Sequence, residues 1–294
     1  MAYRITESQE LYHTYILEDP DRGDRLEIVP ERGGIVTRWR AAGQEVFYMD
    51  EERFRDPNLS IRGGNPVLFP ICGNLTDDRY TLEDQTYTLP QHGFARNRPW
   101  QVVGQSSDDT GAQLTVALTS APETQTGYPF DFELQLTYRL QANTLTTTAA
   151  VTNPGDRPLP FCLGFHPYFH VTDKPTLQVG IPAIEWVSKA GERGEFFGEL
   201  DFTQPEIDIA FPQLQSSQAH IQEGDRRLEM DYDLDFYKVL VFWTVQGKPF
   251  YCLEPWSAGR NAFNPDPEQP DRRQWVNPGQ TRTSNLLYRF TGGA

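Results

Sequence analysis

Cysteine is scarce. The 294 residues hold three, at 72, 162 and 252, spread evenly along the chain with no CxxC pair. An odd count at wide spacing fits reduced thiols in a cytosolic protein, not a disulfide framework. Basic charge is also short: 26 Lys and Arg stand against 41 Asp and Glu, a net charge of −15. That balance argues against a nucleic-acid binder, which needs clustered Lys and Arg to neutralise phosphates, and against a polybasic membrane-surface protein. Long apolar runs are missing, so no segment reaches the ~18 residues of a membrane helix. The start, MAYRITESQELYHTY, lacks the basic-then-apolar layout of a signal peptide. The expectation is a soluble, cytoplasmic protein. Neither a GxGxxG turn nor a Walker-type phosphate loop is present, which leaves no motif for a nucleotide cofactor.

Helical periodicity is equally hard to find, and period-2 alternation takes its place. Phe132, Leu134, Leu136, Tyr138 and Leu140 alternate with Glu133, Gln135, Thr137 and Arg139. Segments 113–118 and 145–151 read similarly, and a further strand begins around Leu26 and Ile28. Residues 239–245, VLVFWTV, form a continuous apolar run suited to a strand buried on both faces. The closing segment 284–290 is also strand-like. With 23 Gly and 23 Pro as punctuation, many strands parted by turns predict an all-β sandwich or barrel, not a βαβ fold. The Pro- and charge-rich stretch at 264–272 reads as an excursion, since strand-like sequence resumes at once. The chain reads as one domain, 1–294.

Three polar residues stand in unusually apolar, turn-rich settings: His92 in Leu89-Pro-Gln-His-Gly-Phe-Ala-Arg96, His166 in Cys162-Leu-Gly-Phe-His-Pro-Tyr-Phe169, and Glu254 in Phe250-Tyr-Cys-Leu-Glu-Pro-Trp256. Each has a plain alternative. A histidine among aromatics is commonly a hydrogen-bonded structural residue, and a Glu closing an apolar strand is commonly the point where that strand meets water. Burying a carboxylate without a partner is costly, which draws attention to Glu254. His166 and His170 have HxxxH spacing, but Pro167 stands where a zinc-binding helix has Glu. In a strand, residues four apart lie ~13 Å from each other, too far for one ion. No metal is expected. Two imidazoles, a carboxylate and the aromatic faces of Trp256, Phe94 and Tyr168 suit proton transfer on a sugar, whose apolar face packs on rings while polar groups hold its hydroxyls.

The blocks Arg62-Gly-Gly-Asn-Pro-Val-Leu-Phe-Pro70, Gly73-Asn-Leu75, Gln91-His-Gly-Phe-Ala-Arg96, Gly164-Phe-His-Pro-Tyr-Phe169 and Leu253-Glu-Pro-Trp256 together resemble the aldose 1-epimerase (mutarotase) family. Pro30-Glu-Arg-Gly-Gly-Ile35 and Asn277-Pro-Gly-Gln280 resemble its opening and closing segments, and the blocks fall in family order over roughly 24–290. The resemblance implies a galactose-mutarotase-type β-sandwich, a supersandwich, with no cofactor. It implies His166 as general acid on the ring oxygen, Glu254 as general base on the anomeric hydroxyl, and His92 as the histidine that binds and polarises the sugar. Arg62 and Arg96 match basic positions of the hexose-6-phosphate branch. The sugar-binding aspartate stays open among Asp201, Asp208 and Asp231.

An imidazole with a pKa near ~6.5 beside a carboxylate suits a reversible proton exchange near neutrality. The expected activity is interconversion of the α and β anomers of a neutral aldohexose. The alternatives are a hexose-6-phosphate (glucose-6-phosphate) 1-epimerase and a non-catalytic carbohydrate-binding protein.

Overall fold

The computed structural model describes residues 2–264 and 271–292. Most of the excursion at 264–272 therefore lies outside the described residues. Two large antiparallel sheets face each other. One runs in the order Gln178–Gly180, Gln218–Glu223, Arg226–Tyr232, Thr281–Thr291, Thr144–Thr152, Glu133–Gln141, Ala112–Thr119, Gln101–Ser107. The other runs Arg193–Glu195, Glu185–Ser188, Glu206–Phe211, Val239–Val245, Phe250–Trp256, Gly164–Phe165, Val67–Leu68, with Tyr168–His170 also paired to Phe250–Trp256. A five-stranded sheet of Arg4–Gln9, His13–Asp19, Asp24–Val29, Ile35–Ala41 and Gln44–Glu45 completes the body.

The alternation read from sequence becomes the sandwich interior. In Glu133–Gln141 the residues Leu134, Leu136, Tyr138 and Leu140 are fully buried, while those between them are not. A period of two puts one set of side chains against the facing sheet. Rings from the two sheets meet directly: Phe169 and Tyr288 lie 5.5 Å apart at their centroids, and Phe69 and Phe132 lie 5.0 Å apart. Val239–Val245 forms over the span predicted for it, with both faces largely covered. All three cysteines are free and buried. Among the described residues no helix is long and apolar enough to cross a membrane.

Candidate active site

Strand register assembles the site. Phe250–Trp256 pairs Trp256 with Gly164 and Cys252 with Tyr168, so His166, between the two pairs, stands opposite Glu254. The His166 backbone N–H donates to Pro66 O at 3.0 Å and Tyr168 N–H to Gly64 O at 2.8 Å. Those bonds fix the Arg62–Pro70 segment beside the histidine. His92 arrives on a tight turn: it has φ +67° and the following Gly93 has φ +70°. A Cβ at Gly93 would fall 2.2 Å from Phe69 O, so only glycine permits the approach.

His92, His166 and Glu254 line one cavity of about 260 Å³, with Arg62, Arg96, Tyr168 and Trp256 in the same wall. The two histidines, Glu254, both arginines, Tyr168 and Trp256 are thus brought together. His166 Nε2 lies 3.4 Å from Glu254 Oε1, and Trp256 Nε1–H donates to Glu254 Oε2 at 3.1 Å. His92 and His166 meet edge to face with centroids 5.5 Å apart. The His166 ring stacks on Tyr168 at 4.8 Å and 10°. His92 Nδ1 accepts the Gly73 backbone N–H at 3.1 Å. This acceptor role places the proton of a neutral ring on Nε2.

Three expectations change. Glu254 does not sit where a strand meets water; it is in the body of Phe250–Trp256 and only 1% exposed. Phe94 is not a sugar platform: it packs on Phe69, Tyr128 and Phe132 in the core. The imidazole pKa is also far from its usual value. Burial pulls His166 down to about 3, with the Arg96, Arg260 and Arg62 charges pushing the same way. Burial pushes Glu254 well above the usual carboxylate range, and the neighbouring Asp208 adds to it. A 3.4 Å ion pair would drive both groups the opposite way, but desolvation dominates at this depth. The two shifts run in opposite directions, so a proton shared by the pair favours the carboxyl over the imidazole. His92 is also lowered by burial, then by His166 and the nearby cations.

Further residues complete the wall that sequence reading missed: Lys189, Glu206, Trp243 and Arg260, together with Asp208 from the three open aspartates. Asp208 receives Arg260 Nη2 at 2.5 Å, and the Arg260 guanidinium lies 5.4 Å from the Trp256 ring centroid. Glu206 accepts from Trp243 Nε1 at 2.6 Å, which holds that indole edge-on against His166 at 5.6 Å. Asp201 is instead tied to Thr203 and Gln204 in an exposed turn, and Asp231 to Gln218 in the other sheet. The one available signal was position: Arg260 follows the Glu-Pro-Trp block by four residues.

Arg62 and Arg96 open onto the cavity with no carboxylate partner among the described residues. Arg96 Nη2 donates to the Gln91 carbonyl at 3.0 Å, and its Nε is buried without a partner. A larger groove of about 520 Å³ lies on the five-stranded sheet, where Arg25 is paired with Glu27 and Arg38 with Glu51. His170 lines a separate small cavity with Glu223 and Arg226, so the HxxxH pair does not converge. Among the described residues, donor atoms of His166, Cys252 and Glu254 do lie within 4.8 Å of one another.

The aldose 1-epimerase family model matches residues 21–289. The solved structure of the Slr1438 protein from Synechocystis sp. PCC 6803 is 40% identical, covers 99% of this chain and 100% of its own, and superposes with a TM-score of 0.92. A galactose mutarotase-like protein from Clostridium acetobutylicum shares the fold at 20% identity, with 99% of each chain covered and a TM-score of 0.83. A Cenchrus ciliaris protein named "Putative glucose-6-phosphate 1-epimerase" is 28% identical over 191 residues, 61% of this chain. The match spans 55% of that relative's own length.

Proposed function

The chain belongs to the aldose 1-epimerase family, a family of isomerases, and from that premise we propose that it interconverts the anomers of a phosphorylated aldohexose. The observation that carries the substrate class is the pair of arginines. Arg62 and Arg96 share one cavity with His92, His166 and Glu254, and among the described residues neither makes an ion pair with a carboxylate. Guanidinium forks grip phosphate through parallel charge-assisted hydrogen bonds. This weighs against the neutral-aldohexose reading, because a net charge of −15 acts mainly at long range and is screened beyond ~8 Å at ~0.15 M salt. The partial relative named for glucose 6-phosphate supports the same choice. Three buried thiols fit work in a reducing compartment, the cytoplasm, by a chain acting as one domain.

The reaction opens and recloses a pyranose ring. One member of the His166–Glu254 pair removes the anomeric hydroxyl proton while the other delivers one to the ring oxygen. The C1–O5 bond breaks and an aldehyde forms at C1. Rotation about C1–C2 presents the other carbonyl face, and the same two groups return the protons in reverse as the ring closes. The pair ends in the protonation state in which it started, so nothing is consumed. His92 Nε2, which faces the Gln91 side-chain amide at 3.3 Å and lies away from the Gly73 contact, donates to a sugar oxygen once the sugar displaces that amide. Trp256 holds the carboxyl in place through its indole N–H.

The test is anomer exchange followed by NMR or polarimetry with glucose and glucose 6-phosphate, on the wild type and on Arg62→Ala. A selective loss of the phosphorylated substrate in the variant is expected. Equal loss on both substrates would return Arg62 to a structural role and the enzyme to neutral aldoses.

A further inference from the structure

Cys252 is a buried thiol that the reaction does not use, yet it stands against the two groups that the reaction does use. Cys252 and Glu254 are two apart on Phe250–Trp256 and so project from the same face of the sheet. His166, opposite Glu254 on the neighbouring segment, joins them. One nitrogen, one sulfur and one oxygen donor lie within 4.8 Å of one another on hydrogen-bonded backbone. Donors to a single zinc ion sit about 2.0–2.3 Å from the metal, so small side-chain rotations would close the triangle.

We propose that His166, Cys252 and Glu254 form a site for a thiophilic divalent cation, zinc or cadmium, whose occupation inhibits the enzyme. The donor set decides the metal class. Imidazole with thiolate selects borderline and soft ions, while magnesium and calcium need several oxygen ligands. Three protein donors leave a fourth position, and it faces the cavity, where His166 and Glu254 are part of the wall. Charge also balances. Thiolate and carboxylate together neutralise a dication, with the thiol proton released to solvent. Of the cations in that wall Arg260 is already paired with Asp208, while Arg62 and Arg96 oppose the ion, so the three donors must outweigh their field. A metal held there ties up both proton-transfer groups at once, so bound metal and turnover exclude each other.

Cadmium added to metal-free enzyme tests this with two readouts, anomer exchange and the ultraviolet thiolate-to-cadmium absorption band. One equivalent should produce the band and stop exchange, a chelator should reverse both, and magnesium should do neither. Cys252→Ser should lose the band and weaken inhibition by about tenfold or more, the scale on which even outer-shell partners of a metal act. The Cys72→Ser/Cys162→Ser double variant, in which Cys252 is the last thiol, should keep both; it also serves if Cys252→Ser fails to fold. A band absent from the wild type or lost in the double variant overturns the site, as does inhibition unchanged in Cys252→Ser. The inhibition readout rests on the epimerase reading, whereas the absorption band does not. Cadmium binding without exchange activity would therefore overturn the function and leave the site standing.

Discussion

Glu254 and His166 show how far burial moves a proton. The carboxyl receives an indole N–H and faces an imidazole, so its position is fixed. Replacing it by Gln preserves shape and removes its capacity to exchange a proton. Glu254→Gln should fold normally and lose roughly 10²–10⁴-fold in kcat, the usual worth of one positioned proton transfer. Near-native turnover in an NMR exchange assay would place that proton transfer on another residue. The pH profile follows from the two shifts. His166 is lowered, so the pair takes a second proton only far below the ordinary imidazole range. Glu254 is raised, so the pair keeps its single proton above the ordinary carboxylate range. Measured on a non-ionising sugar, so that a substrate phosphate with its second pKa near ~6 does not intrude, the profile of kcat/KM should show no acid-side fall near ~6.5, the value of an unperturbed histidine. A fall there would mean that His166 titrates as an exposed imidazole. The identity of these residues was readable from their apolar settings and motif blocks. Their protonation was not, because it depends on neighbours such as Asp208 and Arg260, which arrive from distant parts of the chain.

Among the elements, long strands announced themselves and short ones did not. Glu133–Gln141 carries four alternating apolar residues, and Val239–Val245 is a single apolar run. Val67–Leu68, Gly164–Phe165 and Tyr168–His170 are two or three residues long, too short to display a period. Yet these short pieces carry or adjoin the site, and the Glu254 strand end assumed from sequence was wrong because Pro255 and Trp256 continue the pairing. The His92–Gly93 turn is the most constrained of them. Gly93→Ala would put a methyl against the Phe69 carbonyl while keeping a left-handed backbone. The cost should exceed about 1 kcal/mol, and the displaced His92 should raise KM. Thermal unfolding together with exchange kinetics checks both; unchanged values in each would show that the turn yields freely.

Across the whole molecule, both sheets build the core, but the chemistry sits on one of them. Leu136, fully buried on Glu133–Gln141, packs the sandwich from the sheet opposite the site. Leu136→Ala should cost about 2–5 kcal/mol from lost burial and the cavity left behind. The kcat of the folded fraction should stay near the wild-type value, as denaturant melts paired with activity would report. A parallel loss of kcat would mean that the two sheets are mechanically coupled. Sandwich architecture was legible because binary patterning needs no partner to be recognised. The cation and carboxylate set of the cavity was not, since Lys189, Glu206, Trp243 and Arg260 meet only after the sheet has brought their strands side by side. No local window contains that information.

Trp256 has a use beyond holding a carboxyl. Its indole is bonded to the group whose charge changes during turnover, and it is flanked by Arg260 on its face and His92 at its edge. An excited indole shifts its emission with the electric field along the ring, so ionisation of Glu254 has a built-in optical reporter. Trp243, bonded to Glu206 in the same wall, is a second. Intrinsic fluorescence should thus shift when a sugar phosphate enters and when the pair titrates. Trp256→Phe should remove most of that response; a signal surviving intact in the variant would assign it to Trp243. The enzyme carries its own voltmeter, placed against the proton that it moves.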